Sequence, residues 1–141
     1  MRIFRKLGGA QPKTGANVAT RGTVLVVDDS PTETRAFTIA LEKAGYRVES
    51  AQNGEEGVNA ARRLHPDVIL MDVVMPILNG FQATRQLQRD PRTADIPVII
   101  VTTKDQETDR TWGLRQGALD YLVKPVDAHE LVARIRTALG E

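Results

Sequence analysis

The chain has 141 residues, 41% of them hydrophobic and 26% charged, which suits one domain able to bury its own core. It has no cysteine, which excludes disulfides and thiolate metal sites, and no apolar run near the ~20 residues that cross a bilayer. The net charge of +1 is unevenly placed: residues 1–22 hold five basic residues and no acid, leaving 14 basic and 18 acidic residues in the rest. An acidic body lacks the basic face that nucleic-acid binding requires.

Residues 1–22, with Arg2, Arg5, Lys6, Lys13 and Arg21, read as a basic N-terminal extension that composition leaves disordered. Such a tail suits contact with anionic lipid or an acidic partner. It lacks the apolar stretch of a secretory signal, so a cytoplasmic chain is expected. From Thr23 to Glu141 short apolar runs alternate with helix-length amphipathic segments. Thr23-Val24-Leu25-Val26-Val27 has the continuous apolar character of a strand buried on both faces. Ser30 stands as an N-cap, Pro31 takes the first helical position, and Glu33 sits where a capping box places its acid. The helix that follows carries Ala36, Phe37, Ile39, Ala40 and Leu41 toward a core and stops at Gly45.

The unit recurs four times. A strand over Tyr46–Ala51 precedes a helix from about Gly54 to Leu64, broken by His65-Pro66. Asp67–Met71 is a third strand, and a helix from Gly80 to Arg89 ends at Asp90-Pro91. Pro97–Val101 is a fourth strand, followed by a helix over Gln106 to Gln116 that stops at Gly117. Leu119–Val123 is the fifth, and Asp127 caps a last helix running to about Leu139. His65 and His129 read as surface residues near helix ends.

Five strands alternating with five helices across short connections imply an α/β fold: a doubly wound parallel sheet in the flavodoxin-like order 2-1-3-4-5. Ligands in such sheets sit beyond the carboxyl ends of the strands. The residues there are Asp28, Asp29, Asp72, Thr102 and Lys124. Three carboxylates gathered at one edge repel each other unless a cation joins them, and an all-oxygen set suits Mg²⁺. A carboxylate nucleophile, a hard cation, a lysine and a hydroxyl together suit phosphoryl transfer to an aspartate. Taken singly, each has a plainer reading: Asp29 as a helix cap, Thr102 as a strand-end hydroxyl, Lys124 as a solvated charge, Tyr121 as a half-buried strand aromatic.

Four segments in order, Val26-Val27-Asp28-Asp29-Ser30, Leu70-Met71-Asp72 with Met75-Pro76 and Gly80, Val101-Thr102, and Tyr121-Leu122-Val123-Lys124-Pro125, resemble the receiver domain of two-component response regulators. The resemblance implies that Asp72 is the phosphoacceptor. It implies that Mg²⁺ is held by Asp29, Asp72 and the main-chain carbonyl of Val74, with Asp28 acting through water. Lys124 is then the cationic partner of Asp72 and of the phosphoryl oxygens, Thr102 and Tyr121 form the switch pair, and the Lys124-Pro125 bond is cis. Val74 and Lys104 flank the path of hydrolytic water, and Val74 lacks a group to orient it. The domain is then not an enzyme beyond its own phosphotransfer and dephosphorylation.

Within that family the chain resembles PilH-type regulators of twitching motility, through Ser30-Pro31-Thr32-Glu33, the run Asn79 to Leu87, Ile96 to Asp109, Arg115 to Ala118, and Lys124 to Asp127. The basic leader and Ile77-Leu78 depart from that pattern. The implied partners are a histidine kinase of the chemotaxis type and a pilus or motility protein docking on the face of the fourth helix, fifth strand and fifth helix. Trp112 stands there as a contact candidate, and a monomer without an output domain after Glu141 is expected. Two other readings compete. An aspartyl phosphatase needs a second acid two residues after the nucleophile, where this chain has Val74. A phosphate sink, or a docking module independent of phosphorylation, would keep the fold without an effector.

Overall fold

The computed structural model describes residues 20–141, so nearly all of the basic leader lies outside the described residues. Ten elements follow in chain order: β1 (Thr23–Val27), α1 (Pro31–Lys43), β2 (Arg47–Ala51), α2 (Gly54–Leu64) and β3 (Val68–Met71), then α3 (Gly80–Arg89), β4 (Val98–Thr102), α4 (Glu107–Arg115), β5 (Asp120–Val123) and α5 (Ala128–Ala138). The strands form one parallel sheet in the order β2-β1-β3-β4-β5. Expected strand and helix bounds shift by a residue at several ends, where single hydrogen bonds decide membership.

Strand side chains alternate between two faces, and the core divides accordingly. Leu25, Val27, Ile69 and Met71 pack with Val58, Ala61, Ala83 and Leu87 of α2 and α3. Val24, Val26, Leu70 and Val101 pack on the other face with Phe37, Leu41, Leu131 and Ile135 of α1 and α5. Burial on both sides is why these strands read as unbroken apolar runs. The edge strand β2 is the exception, with Arg47 and Glu49 on its solvated side.

In α1 the buried residues are Phe37 and Leu41, four apart on one face, while Ile39 is 55% exposed and Ala36 also faces solvent. The expectation of a broader apolar stripe is therefore corrected: Ile39 lies about 200° around the helix from Phe37. Ser30 does cap α1, accepting from the Glu33 N–H at 3.2 Å. The reciprocal half of the capping box does not form, because the Ser30 N–H donates to Asp28 Oδ1 at 2.9 Å instead. A complete box forms at α3, where Asn79 and Gln82 exchange side-chain-to-backbone bonds at 2.9 and 3.0 Å.

Candidate functional site

Three ladder bonds continue one residue beyond the strands: Asp28 N–H to the Ala51 carbonyl at 3.1 Å, Asp72 N–H to Val27 at 2.9 Å, and Lys124 N–H to Thr102 at 2.8 Å. Parallel pairing in register thus carries Asp28, Asp72 and Lys124 to one rim, with Thr102 ending β4 beside them. Asp28, Asp29 and Asp72 each bring a carboxylate oxygen within 4.8 Å of the others. Asp28 is buried, its Oδ1 bound by Ser30 N–H and its Oδ2 by Lys124 Nζ at 2.9 Å. Asp72 is buried at 9% exposure, with Oδ1 accepting from Val73 N–H at 2.7 Å. Asp29 stands exposed at the mouth.

Lys124, its side chain 12% exposed, faces three acids: Asp28 at 2.9 Å, Glu33 at 3.3 Å and Asp72 at 3.5 Å. Burial raises the Asp72 carboxyl above its usual range; Lys124 opposes the rise and Asp28 reinforces it. For Lys124, burial is the largest single influence and acts downward, yet the hydrogen bond it donates to Asp28 and the charges of Asp72, Asp28 and Glu33 hold the ammonium above its ordinary value. Four acids, Asp28, Asp29, Asp72 and Glu33, gathered around the single ammonium of Lys124 leave a surplus of negative charge at this rim. The donor set therefore fits a hard, oxygen-preferring divalent cation such as Mg²⁺.

The residues between β3 and α3 are held tightly. Gly80 N–H bonds the Val73 carbonyl at 3.0 Å, and a Cβ at Gly80 would overlap the Asp72 carbonyl. Gly80 takes no left-handed φ; close approach of two backbones is what requires glycine here. The left-handed residue is Ile77, φ 72°, centred in a three-residue turn closed by Leu78 N–H to the Pro76 carbonyl at 2.8 Å. Ile77 and Val74 expose 74% and 61% of their surface beside the acids.

Thr102 is fully buried and accepts from Lys104 N–H at 3.3 Å. The Tyr121 ring is also buried, its hydroxyl donating to the Lys104 carbonyl at 2.8 Å. Gly113 of α4 makes room for it, since a Cβ there would meet the ring at 3.0 Å. The Lys124-Pro125 bond is cis.

The structure thus gathers Asp28, Asp29, Asp72 and Lys124 directly, with Thr102 and Tyr121 linked through the segment after β4. Sequence reasoning missed Glu33, which it read as a capping acid. The available signal was a surplus acid one helical turn from a cluster short of cations.

The response regulator receiver domain profile matches residues 24–136. The chain belongs to that family. Its relatives include the protein PilH of Pseudomonas aeruginosa, 62% identical over 117 residues that cover 83% of this chain and 97% of PilH. The transcriptional regulator RpaA of Synechocystis is 43% identical across 82% of this chain, which spans only 48% of RpaA. Among solved structures, the receiver domain of sensor histidine kinase PA1611 from Pseudomonas aeruginosa, with magnesium coordinated in its active-site cleft, superposes with a TM-score of 0.80 at 32% identity, covering 87% of this chain and all (100%) of that one. The chemotaxis protein CheY4 of Vibrio cholerae gives 0.80 at 31% identity, over 86% of this chain and 100% of CheY4. As a receiver, this domain is a signalling module rather than a classical enzyme, and membership implies a histidine kinase as partner. No helix among the described residues is long and apolar enough to cross a membrane.

Proposed function

We propose that this receiver is a phosphorylation switch in which Asp72 accepts a phosphoryl group from a histidine kinase of the chemotaxis type. The observation that carries the reading is Lys124 lying 3.5 Å from a buried carboxylate that two further acids surround. An Asp72 oxygen attacks phosphorus in line, and the donor histidine nitrogen leaves with the electron pair of the breaking bond. Lys124 donates to the phosphoryl oxygens as charge builds. Asp29, Asp72 and the Val74 carbonyl would hold Mg²⁺, and Asp28 would reach it through water because Ser30 N–H and Lys124 occupy its oxygens. Bound there, the ion supplies charge neutralisation and orients the phosphoryl oxygens.

Thr102 and Tyr121 form the switch: the hydroxyl moves toward the phosphoryl group and the ring follows through the segment that carries Lys104. The output surface is α4, β5 and α5, where Trp112 is 48% exposed. By likeness to PilH, the pathway is control of type IV pilus twitching motility in the cytoplasm, with a pilus or motility protein as target. A phosphate sink in the same pathway is the second reading, but the exposed, apolar Val74, which gives hydrolytic water no partner, disfavours it, since a sink has to turn its phosphate over.

The deciding experiment is intact-mass detection after incubation with Mg²⁺ and a small phosphodonor. A gain of one phosphate, lost in Asp72→Asn and without Mg²⁺, is expected. No gain in the native chain would reduce the domain to a docking module.

A further inference from the structure

We propose that Glu33 is a positioning residue for the acceptor reaction, a latch that holds Lys124 against the first turn of α1 and delays its transfer to the incoming phosphoryl group. The proposal rests on Asp72 as acceptor and Lys124 as its cationic partner.

The latch follows from how α1 starts. An acid at the third helical position ordinarily reaches back to the N-cap amide. Here that amide is taken by Asp28 Oδ1 at 2.9 Å, so the Glu33 carboxylate is spare and reaches Lys124 Nζ at 3.3 Å. An ammonium has three N–H donors, and three carboxylates surround this one. Asp72 is the most distant of them at 3.5 Å, behind Asp28 at 2.9 Å and Glu33 at 3.3 Å.

For Lys124 to close on phosphoryl oxygens carried by Asp72, the most distant of its three acids, one of the two nearer contacts has to loosen. Releasing Asp28 would strand a charge that is 3% exposed, which is costly. The Glu33 side chain is 43% exposed, so water replaces the lysine there at small cost. Glu33 is therefore the partner that lets go. The covalent chemistry is unaltered: Lys124 gives a hydrogen bond and no proton, while the phosphorus bond passes from the donor's leaving atom to Asp72 oxygen.

The test follows acetyl phosphate labelling by intact mass at fixed Mg²⁺ and beryllofluoride affinity, in the native chain, Glu33→Gln, Glu33→Asp and Asp72→Asn. Aspartate keeps the charge but is one methylene too short to hold the contact. Both Glu33 variants are expected to label about three- to tenfold faster than the native chain and to bind beryllofluoride tighter by a similar factor. Thermal midpoints measured alongside separate this from a change in folding. Native rates in both variants, or a fast glutamine and a native-like aspartate, would overturn the latch; the latter outcome assigns the effect to charge at the mouth alone. Labelling that survives in Asp72→Asn, or is absent from the native chain, overturns the acceptor reading and the latch with it.

Discussion

The buried hydroxyl of Tyr121 ties the stability of the fold to pH. Burial pushes its hydroxyl up to about 12, from 10.0, with the charge of Asp109 adding to the rise. The folded chain holds this proton more tightly than the unfolded chain does. The resulting stability is fully present below about pH 10 and is lost as pH rises through about 12. Tyr121→Phe abolishes that dependence and forfeits the bond to the Lys104 carbonyl, at a cost of about 1 kcal/mol at pH 7. Urea unfolding of both proteins at pH 7 and 11 measures this; a native chain no more pH-sensitive than the variant contradicts it. At Val74, the exposed apolar side chain gives hydrolytic water no partner. Val74→Asn is therefore expected to alter the decay of phosphorylated Asp72, toward shorter lifetimes, followed by loss of the one-phosphate mass. An unchanged decay would remove Val74 from the hydrolysis path.

At the scale of elements, the segment between β3 and α3 and the helix α4 behave oppositely. The first stores strain: a β-branched residue at φ 72° pays about 1–3 kcal/mol, which Gly80, the Asn79–Gln82 capping box and the ladder bond of Asp72 sustain. Ile77→Gly relieves that strain but adds freedom to the unfolded chain, so a net gain of about 1 kcal/mol is expected in thermal melts. A destabilised variant would mean that the exposed Ile77 side chain contributes more than its backbone costs. In α4, Gly113 is the one buried residue, and Arg110 Nη1 donates to the Tyr121 carbonyl at 3.0 Å. An element with so little buried apolar surface sits at the low-stability end of the fold, where a small ligand-dependent free energy shifts it.

For the molecule as a whole, the parallel sheet brings Asp28, Asp29, Asp72, Thr102 and Lys124 to one rim, and the Tyr121 ring packs against Gly113 of α4. Trp112 on α4 reports the outcome. With Mg²⁺ present, beryllofluoride is expected to change its fluorescence in the native chain and leave Asp72→Asn silent. A native chain that binds beryllofluoride with no change at Trp112 would place the output on another face.

The sequence alone determined the ten elements, their parallel order and the acidic rim, because buried strands, caps and right-handed crossovers are written in local residue patterns. Asp28, Asp29, Asp72, Thr102 and Lys124 were legible because each ends or follows a strand whose direction is known. Tertiary structure decided what spacing leaves open. It showed which α1 face is buried, since Ile39 and Phe37 are equally apolar and only packing separates them. It made close approach to Asp72, rather than a left-handed turn, the reason for Gly80. It moved Glu33 from its cap to Lys124, 91 residues away in sequence, because Asp28 had already taken the amide that a local rule reserved for that acid.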